Sequence, residues 1–134
     1  MVGNVAYRCS PAAADGLIGW GLVDELTPLI AHPRREELEV LTESLACLTN
    51  TTFKCSLRPA NDMVKTGVVD HLVAAIVVFP PPSHPHAGGG KEGDVSLWAL
   101  RALQNVFYNC GQEEINECLH SPALLSMLLT VTGR

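Results

Sequence analysis

Apolar positions recur along the chain at helical intervals. In 36–52, Val40, Leu41, Leu45 and Leu48 form one stripe with polar residues between them, and 94–109 repeats it with Val95, Leu100 and Leu103. These intervals fit a helical period and not the alternation of a strand. Three shorter and more apolar segments, 22–31, 68–79 and 123–131, and three two-turn pieces, 12–20, 60–66 and 113–120, read as further helices. The pattern predicts an all-α chain built in the order short helix, middle helix, long helix. Gly21 and Gly67 stand where one helix stops and the chain turns sharply, a place that suits a residue tolerant of positive φ. Pro33 and the run Pro80, Pro81 and Pro82 are expected to end the middle helices, because proline lacks the helical donor and restrains the residue before it.

The helices recur with a period. Gly21-Leu-Val-Asp-Glu-Leu-Thr-Pro-Leu-Ile30 aligns with Gly67-Val-Val-Asp-His-Leu-Val-Ala-Ala-Ile76 at Gly, Val, Asp, Leu and Ile, an offset of 46 residues (21 to 67). A second signature, Asn-x-x-aromatic-x-Cys, runs from Asn4 through Tyr7 to Cys9, from Asn50 through Phe53 to Cys55, and from Asn105 through Tyr108 to Cys110. Its first offset is again 46 (4 to 50), and its second is 55 (50 to 105). An irregular Pro/Gly/His stretch at 80–93 lies where it can absorb the additional nine residues (46 to 55). The turn positions Gly21, Gly67 and Pro122 each follow their Asn by 17 residues (4 to 21, 50 to 67, 105 to 122), so the two signatures keep phase. Such self-similarity marks a helical repeat. The chain divides into a partial copy at 1–20, copies at 21–66 and 67–121, the latter with its insertion at 80–93, and the start of another copy at 122–134.

A three-helix unit of this length fits the period of armadillo and HEAT repeats, and the residues themselves carry a closer resemblance. The segment 21–30 resembles the opening of an armadillo second helix, and Trp98-Ala-Leu-Arg-Ala-Leu-Gln-Asn105 resembles an armadillo third helix. Leu48-Thr-Asn50 and Gly3-Asn4 are the equivalent ends in the other copies. The resemblance implies an armadillo-type right-handed superhelical solenoid of about two and a half repeats. It also implies that successive third helices line a concave groove, where Asn4, Asn50 and Asn105 face a bound extended peptide. An Asn amide offers both donor and acceptor, so a ladder of them can bond the backbone of such a ligand without reading its sequence. Glu43, Trp98 and Arg101 share the helical faces of Asn50 and Asn105 and would supply selectivity. Ala46 and Arg101 stand four before the Asn, where the importin type of groove has Trp, which argues against nuclear-signal binding.

Plainer roles stand beside these. An Asn at a helix end can simply satisfy a neighbouring backbone group, and Trp98 suits the core as well as a groove. Tyr7, Phe53 and Tyr108 are expected to pack, and the recurrence of Cys9, Cys55 and Cys110 with the repeat marks packing positions rather than a unique nucleophile.

Composition narrows the function. An apolar fraction of 47% with 17% charged residues supplies the core that disordered segments lack. A formal charge of −5 without a Lys/Arg cluster argues against nucleic acid, whose affinity rests on phosphate neutralisation. The longest apolar run, from Leu72 to Phe79, is far short of a membrane span. Five cysteines, an odd number with no secretory signal, point to a reducing compartment, cytoplasmic or nuclear. Cys110, Cys118 and His120 lack zinc-site spacing, so no metal or cofactor is expected. The carboxylates Glu36, Glu37, Glu39 and Glu43, like Glu113, Glu114 and Glu117, begin helices and need no catalytic role. His84 and His86 lie in the Gly-rich insertion, where a preorganised site is not expected. The expected function is non-catalytic: a scaffold that holds a protein or peptide partner in its groove, or a structural spacer whose binding site lies elsewhere. The phase at which the repeat is cut leads us to expect a fragment of a longer protein, with self-association through exposed repeat ends.

Overall fold

The structure is a computed structural model, and it describes residues 10–32, 34–79 and 90–131. Asn4, Tyr7, Cys9, Pro33, the three prolines from Pro80, His84 and His86 lie outside these. Among the described residues the fold is all-α, with no strand. The helices are α1 (Pro11–Gly19), α2 (Leu22–Ala31), α3 (Leu38–Phe53), α4 (Leu57–Lys65), α5 (Val68–Val78), α6 (Gly90–Asn109), α7 (Gln112–Cys118) and α8 (Pro122–Val131), with a 3-10 turn at Arg35–Glu37 before α3.

Local chemistry sets the boundaries. Ser10 caps α1 by accepting the Ala13 N–H at 3.2 Å, and Pro11 occupies the first turn, where a missing donor costs nothing. Ser121 and Pro122 repeat the device at α8, with Ser121 Oγ accepting the Leu124 N–H at 3.3 Å. Proline in a first turn also explains why α4 starts at Leu57 rather than at residue 60: Pro59 falls among the N–H positions that have no intrahelical partner. Gly21 and Gly67 adopt left-handed φ of 96° and 88°, turning the short helix into the middle one in both copies. The middle helices end at Ala31 and Val78, as the prolines beyond them suggest. The long helix of the second copy differs from expectation. It begins at Gly90, so the last four residues of the 80–93 stretch, 90–93, are helical rather than irregular. Extending an established helix costs much less than nucleating one, and this outweighs the poor propensity of glycine there.

Packing follows the copies. α3 and α6 share the largest interface between elements, α2 lies on α3, and α5 lies on α6. Across copies like meets like: α1 contacts α4 and α4 contacts α7, while α2 contacts α5 and α5 contacts α8. One continuous core results. It joins Leu41, Leu45 and Leu48 of α3, Leu72 and Ile76 of α5, Val95, Ala99, Ala102 and Val106 of α6, and Met127 of α8. Buried hydroxyls on α3 are satisfied within the helix, Thr49 by the Leu45 carbonyl at 2.7 Å and Thr51 by the Cys47 carbonyl at 2.8 Å.

A side-chain bond joins each pair of short helices. Asp15 Oδ1 on α1 accepts the backbone N–H of Ser56 at 2.8 Å, and Asn61 Oδ1 on α4 accepts that of Gly111 at 2.7 Å. Asp15 and Asn61 are 46 residues apart (15 to 61) and Ser56 and Gly111 are 55 apart (56 to 111), so the bond recurs with the sequence period. Each acceptor satisfies the residue that precedes the next short helix.

Two stability outcomes follow. Gly67→Ala meets no steric neighbour, so its cost is that of a left-handed non-glycine residue, about 1–2 kcal/mol, read as a lower midpoint in urea. Asn61→Ala leaves the Gly111 N–H unpaired and should lose about 1 kcal/mol, whereas Asn61→Asp, which keeps the acceptor, should lose less in the same titration.

Candidate functional site

The long helices carry the residues expected to face a ligand. On α3 these are Glu43 and Asn50, and on α6 Trp98, Arg101 and Asn105, each set spaced by three, four or seven residues and therefore on one face. The helices bring the two sets together at their C-terminal ends. Asn105 Nδ2 donates to the Thr49 carbonyl at 2.9 Å, one residue from Asn50, and lies 3.4 Å from Thr52 Oγ1. Asn109 Nδ2, one turn on, donates to the Thr52 carbonyl at 2.7 Å. Thr49 Oγ1 in turn reaches the Trp98 carbonyl at 2.9 Å. A helix carbonyl is open to a neighbour where the side chain four residues on is small, and here that residue is Ala102, which is fully buried.

Asn105 therefore uses one amide donor between helices, the plainer of its two expected roles, while its carbonyl oxygen has no bond in this network. Asn50 and Asn105 are both half-buried, and Glu43 is exposed. Trp98 divides between its two expected environments: it is half-buried and packs on the core, and its ring also lies under the Arg101 guanidinium, 5.2 Å from the centroid. Arg101 is itself exposed. A cation over an aromatic face at this distance is a contact worth about 0.5–1 kcal/mol at an exposed site.

The aromatic residues of the Asn-x-x-aromatic-x-Cys signature differ from expectation. Phe53 is 63% exposed and Tyr108 is 88% exposed, so neither packs in the core. Position explains it. Each follows its Asn by three residues and shares that outward face, whereas the Cys two residues further on turns inward. Phe53 and Tyr108 thus extend the two stripes to Glu43, Asn50, Phe53 and to Trp98, Arg101, Asn105, Tyr108. The spacing of three from the Asn was the signal available in the sequence.

Cys55 and Cys110 are buried together with Ala60 in a small cluster flanked by Ile18, Phe107 and Ile115, as the repeat predicts for packing positions. Burial pushes the Cys55 thiol up to about 11, against a weak opposing contact from Asn109 Nδ2 at 3.8 Å. Burial also raises Cys47, Cys110 and Cys118. Thiols held protonated are poor nucleophiles. Among the described residues no three His, Cys, Asp or Glu side chains converge as a metal ion requires, and no helix is long and apolar enough to cross a membrane.

The chain matches no protein-family model, no curated protein and no solved structure at a significant level.

The raised thiol sets an alkaline dependence. Its folded value exceeds the ordinary 9.0, so its contribution is whole below about pH 9 and is lost as pH rises towards 11. The melting temperature of the wild-type chain should fall more steeply over that window than that of Cys55→Ala, measured side by side by circular dichroism.

Proposed function

We propose that this chain is a non-catalytic protein–protein interaction scaffold of armadillo type, which holds an extended polypeptide segment along the joint face of α3 and α6. The observation that carries this reading is the pairing of two equivalent stripes, Glu43-Asn50-Phe53 and Trp98-Arg101-Asn105-Tyr108, brought together by the bond from Asn105 to the Thr49 carbonyl. Like-on-like stacking of short, middle and long helices supports a solenoid. The face offers what an extended segment needs: carboxamides for its backbone, exposed aromatic rings for its apolar side chains, and one cation and one carboxylate for selection. Protein or peptide is the partner that this chemistry suits. Nucleic acid is disfavoured by the formal charge of −5.

A second reading has a specific observation behind it. The amide of Asn105 is engaged between helices, which favours a structural spacer with its binding site elsewhere. The two readings separate on side chains that do not join helices.

Peptides selected from an unbiased displayed library against the 134-residue chain provide the test. Affinity measured by calorimetry should drop about tenfold or more for Trp98→Ala and by a smaller factor for Tyr108→Ala, with helicity and melting temperature retained for Tyr108→Ala. Selected peptides that bind Glu43→Ala, Phe53→Ala, Trp98→Ala, Arg101→Ala and Tyr108→Ala as tightly as the wild type would move the function to the spacer reading.

A further inference from the structure

The two ties between short helices are equivalent in the period but not in chemistry. At the second junction the donor is Gly111, which offers only its backbone N–H, and the acceptor is the neutral amide of Asn61. A Cβ on Gly111 would lie 2.6 Å from Glu114 Oε2, so a side chain there has to displace the carboxylate that faces Lys65 at 3.8 Å. At the first junction Ser56 donates twice to Asp15, its N–H to Oδ1 at 2.8 Å and its hydroxyl to Oδ2 at 2.5 Å. The second of these is short, as hydrogen bonds from a hydroxyl to a carboxylate are. Ser56 is exposed just before α4, and Asp15 is half-buried on α1. One accessible hydroxyl proton therefore belongs to the first tie and has no counterpart in the second.

What surrounds that hydroxyl along the chain differs from what the fold brings to it. Acidic residues outnumber basic ones by 14 to 9 in the whole chain, yet residues 44–61 contain no Asp or Glu. Their two cations, Lys54 and Arg58, stand two residues before and two after Ser56. A cationic sequence around a serine is the charge pattern by which an acidic kinase cleft selects its substrate. The carboxylate at the hydroxyl is supplied by the fold, from Asp15 at a separation of 41 residues. Ser10 holds the same place one copy earlier (10 to 56), but its hydroxyl oxygen caps its own helix by accepting the Ala13 N–H. The Thr49 hydroxyl also crosses between copies and is buried.

We infer that Ser56 is a phosphorylation site, modified by a protein kinase selective for basic-flanked serines, and that phosphate there releases α1 from α4. In the transfer, Ser56 Oγ forms a bond to the γ-phosphorus of a nucleoside triphosphate. The bond from that phosphorus to its bridging oxygen breaks, the nucleoside diphosphate leaves, and the hydroxyl proton passes to the kinase's base. Oγ becomes an ester oxygen with nothing to donate, and a group of about −2 charge now faces the Asp15 carboxylate. The two anions repel and Asp15 withdraws. α4 keeps its place, because a phosphate is favourable at a helix N-terminus and Arg58, exposed in the first turn, adds a cation beside it. The junction of Asn61 with Gly111 has no hydroxyl and is spared. This inference is independent of what the long helices hold.

The full 134-residue chain is the substrate for the test, incubated with ATP and a panel of basophilic serine/threonine kinases. Tandem mass spectrometry should locate phosphate at Ser56. Asp15→Asn, which removes the competing charge, should raise the initial rate, and Lys54→Glu with Arg58→Glu should lower it about tenfold or more. The consequence is read separately in a chain that carries phosphoserine at 56 from biosynthesis. Its α1 amides should exchange hydrogen about tenfold or more faster than in the unmodified chain, while those of α7 keep their rates. With Asp15→Asn in both chains, that difference should disappear. Phosphate taken up only at other residues, or none at all, overturns the site. Equal α1 exchange with and without the phosphate overturns the release, and so does a loss of protection that extends through α7.

Discussion

Close approach of α3 and α6 is the contact on which the other placements depend. It requires small residues at Ala99 and Ala102, because larger side chains would separate the backbones and withdraw the Trp98 carbonyl from Thr49. Once the helices touch, polar groups that would be costly to bury find partners across the interface. Thr49, Asn105 and Asn109 do so by side chain. Among the described residues no buried side-chain nitrogen or oxygen lacks a hydrogen bond. The apolar core and the polar stitching are thus one interface seen at two depths: Leu45 and Leu48 below, the amides of Asn105 and Asn109 at its margin. The stripes proposed to hold a ligand lie on that margin, so their spacing is set by the same approach.

The fold was legible to the extent that apolar periodicity and backbone special cases wrote it into the chain. Gly21 and Gly67 announce the turns because a left-handed residue is needed there, and Leu45, Leu48, Leu100 and Leu103 announce the long helices. The boundaries that were misplaced involve residues with two uses. Pro59 ends a helix in mid-sequence but opens one in a first turn, and the glycines at 90–93 suit a loop until a helix is already running into them. The candidate site was legible in part. Asn50, Asn105, Trp98 and Arg101 were marked by the repeat, whereas Phe53 and Tyr108 were expected to pack because large aromatics usually do. Asp15 and Asn61 were not seen at all. They differ in type, and a single polar residue leaves no hydrophobic trace; their common trait is an acceptor oxygen at one place in the period.

The cysteine positions show how a recurring residue can mislead or inform. Cys55 and Cys110 return with the period and close the gap where a long helix gives way to the next short one, flanked by Ile18, Phe107 and Ile115. Burial is the main cause of their raised values, with Asp15 adding to it at Cys55, and Cys118 and Glu114 adding to it at Cys110. A reactive thiol would need the reverse surroundings: exposure and a nearby cation.

The bonds from Asp15 to Ser56 and from Asn61 to Gly111 reach from one copy to the next and no further. Ties of this kind hold each copy to those beside it, and their sum grows with the number of copies. Opening should then proceed tie by tie, each copy coming away only once the bonds to its neighbours are broken. Length becomes a reservoir of persistence: a partner that bridges two copies slows that unravelling at the tie it spans, whatever sequence it carries.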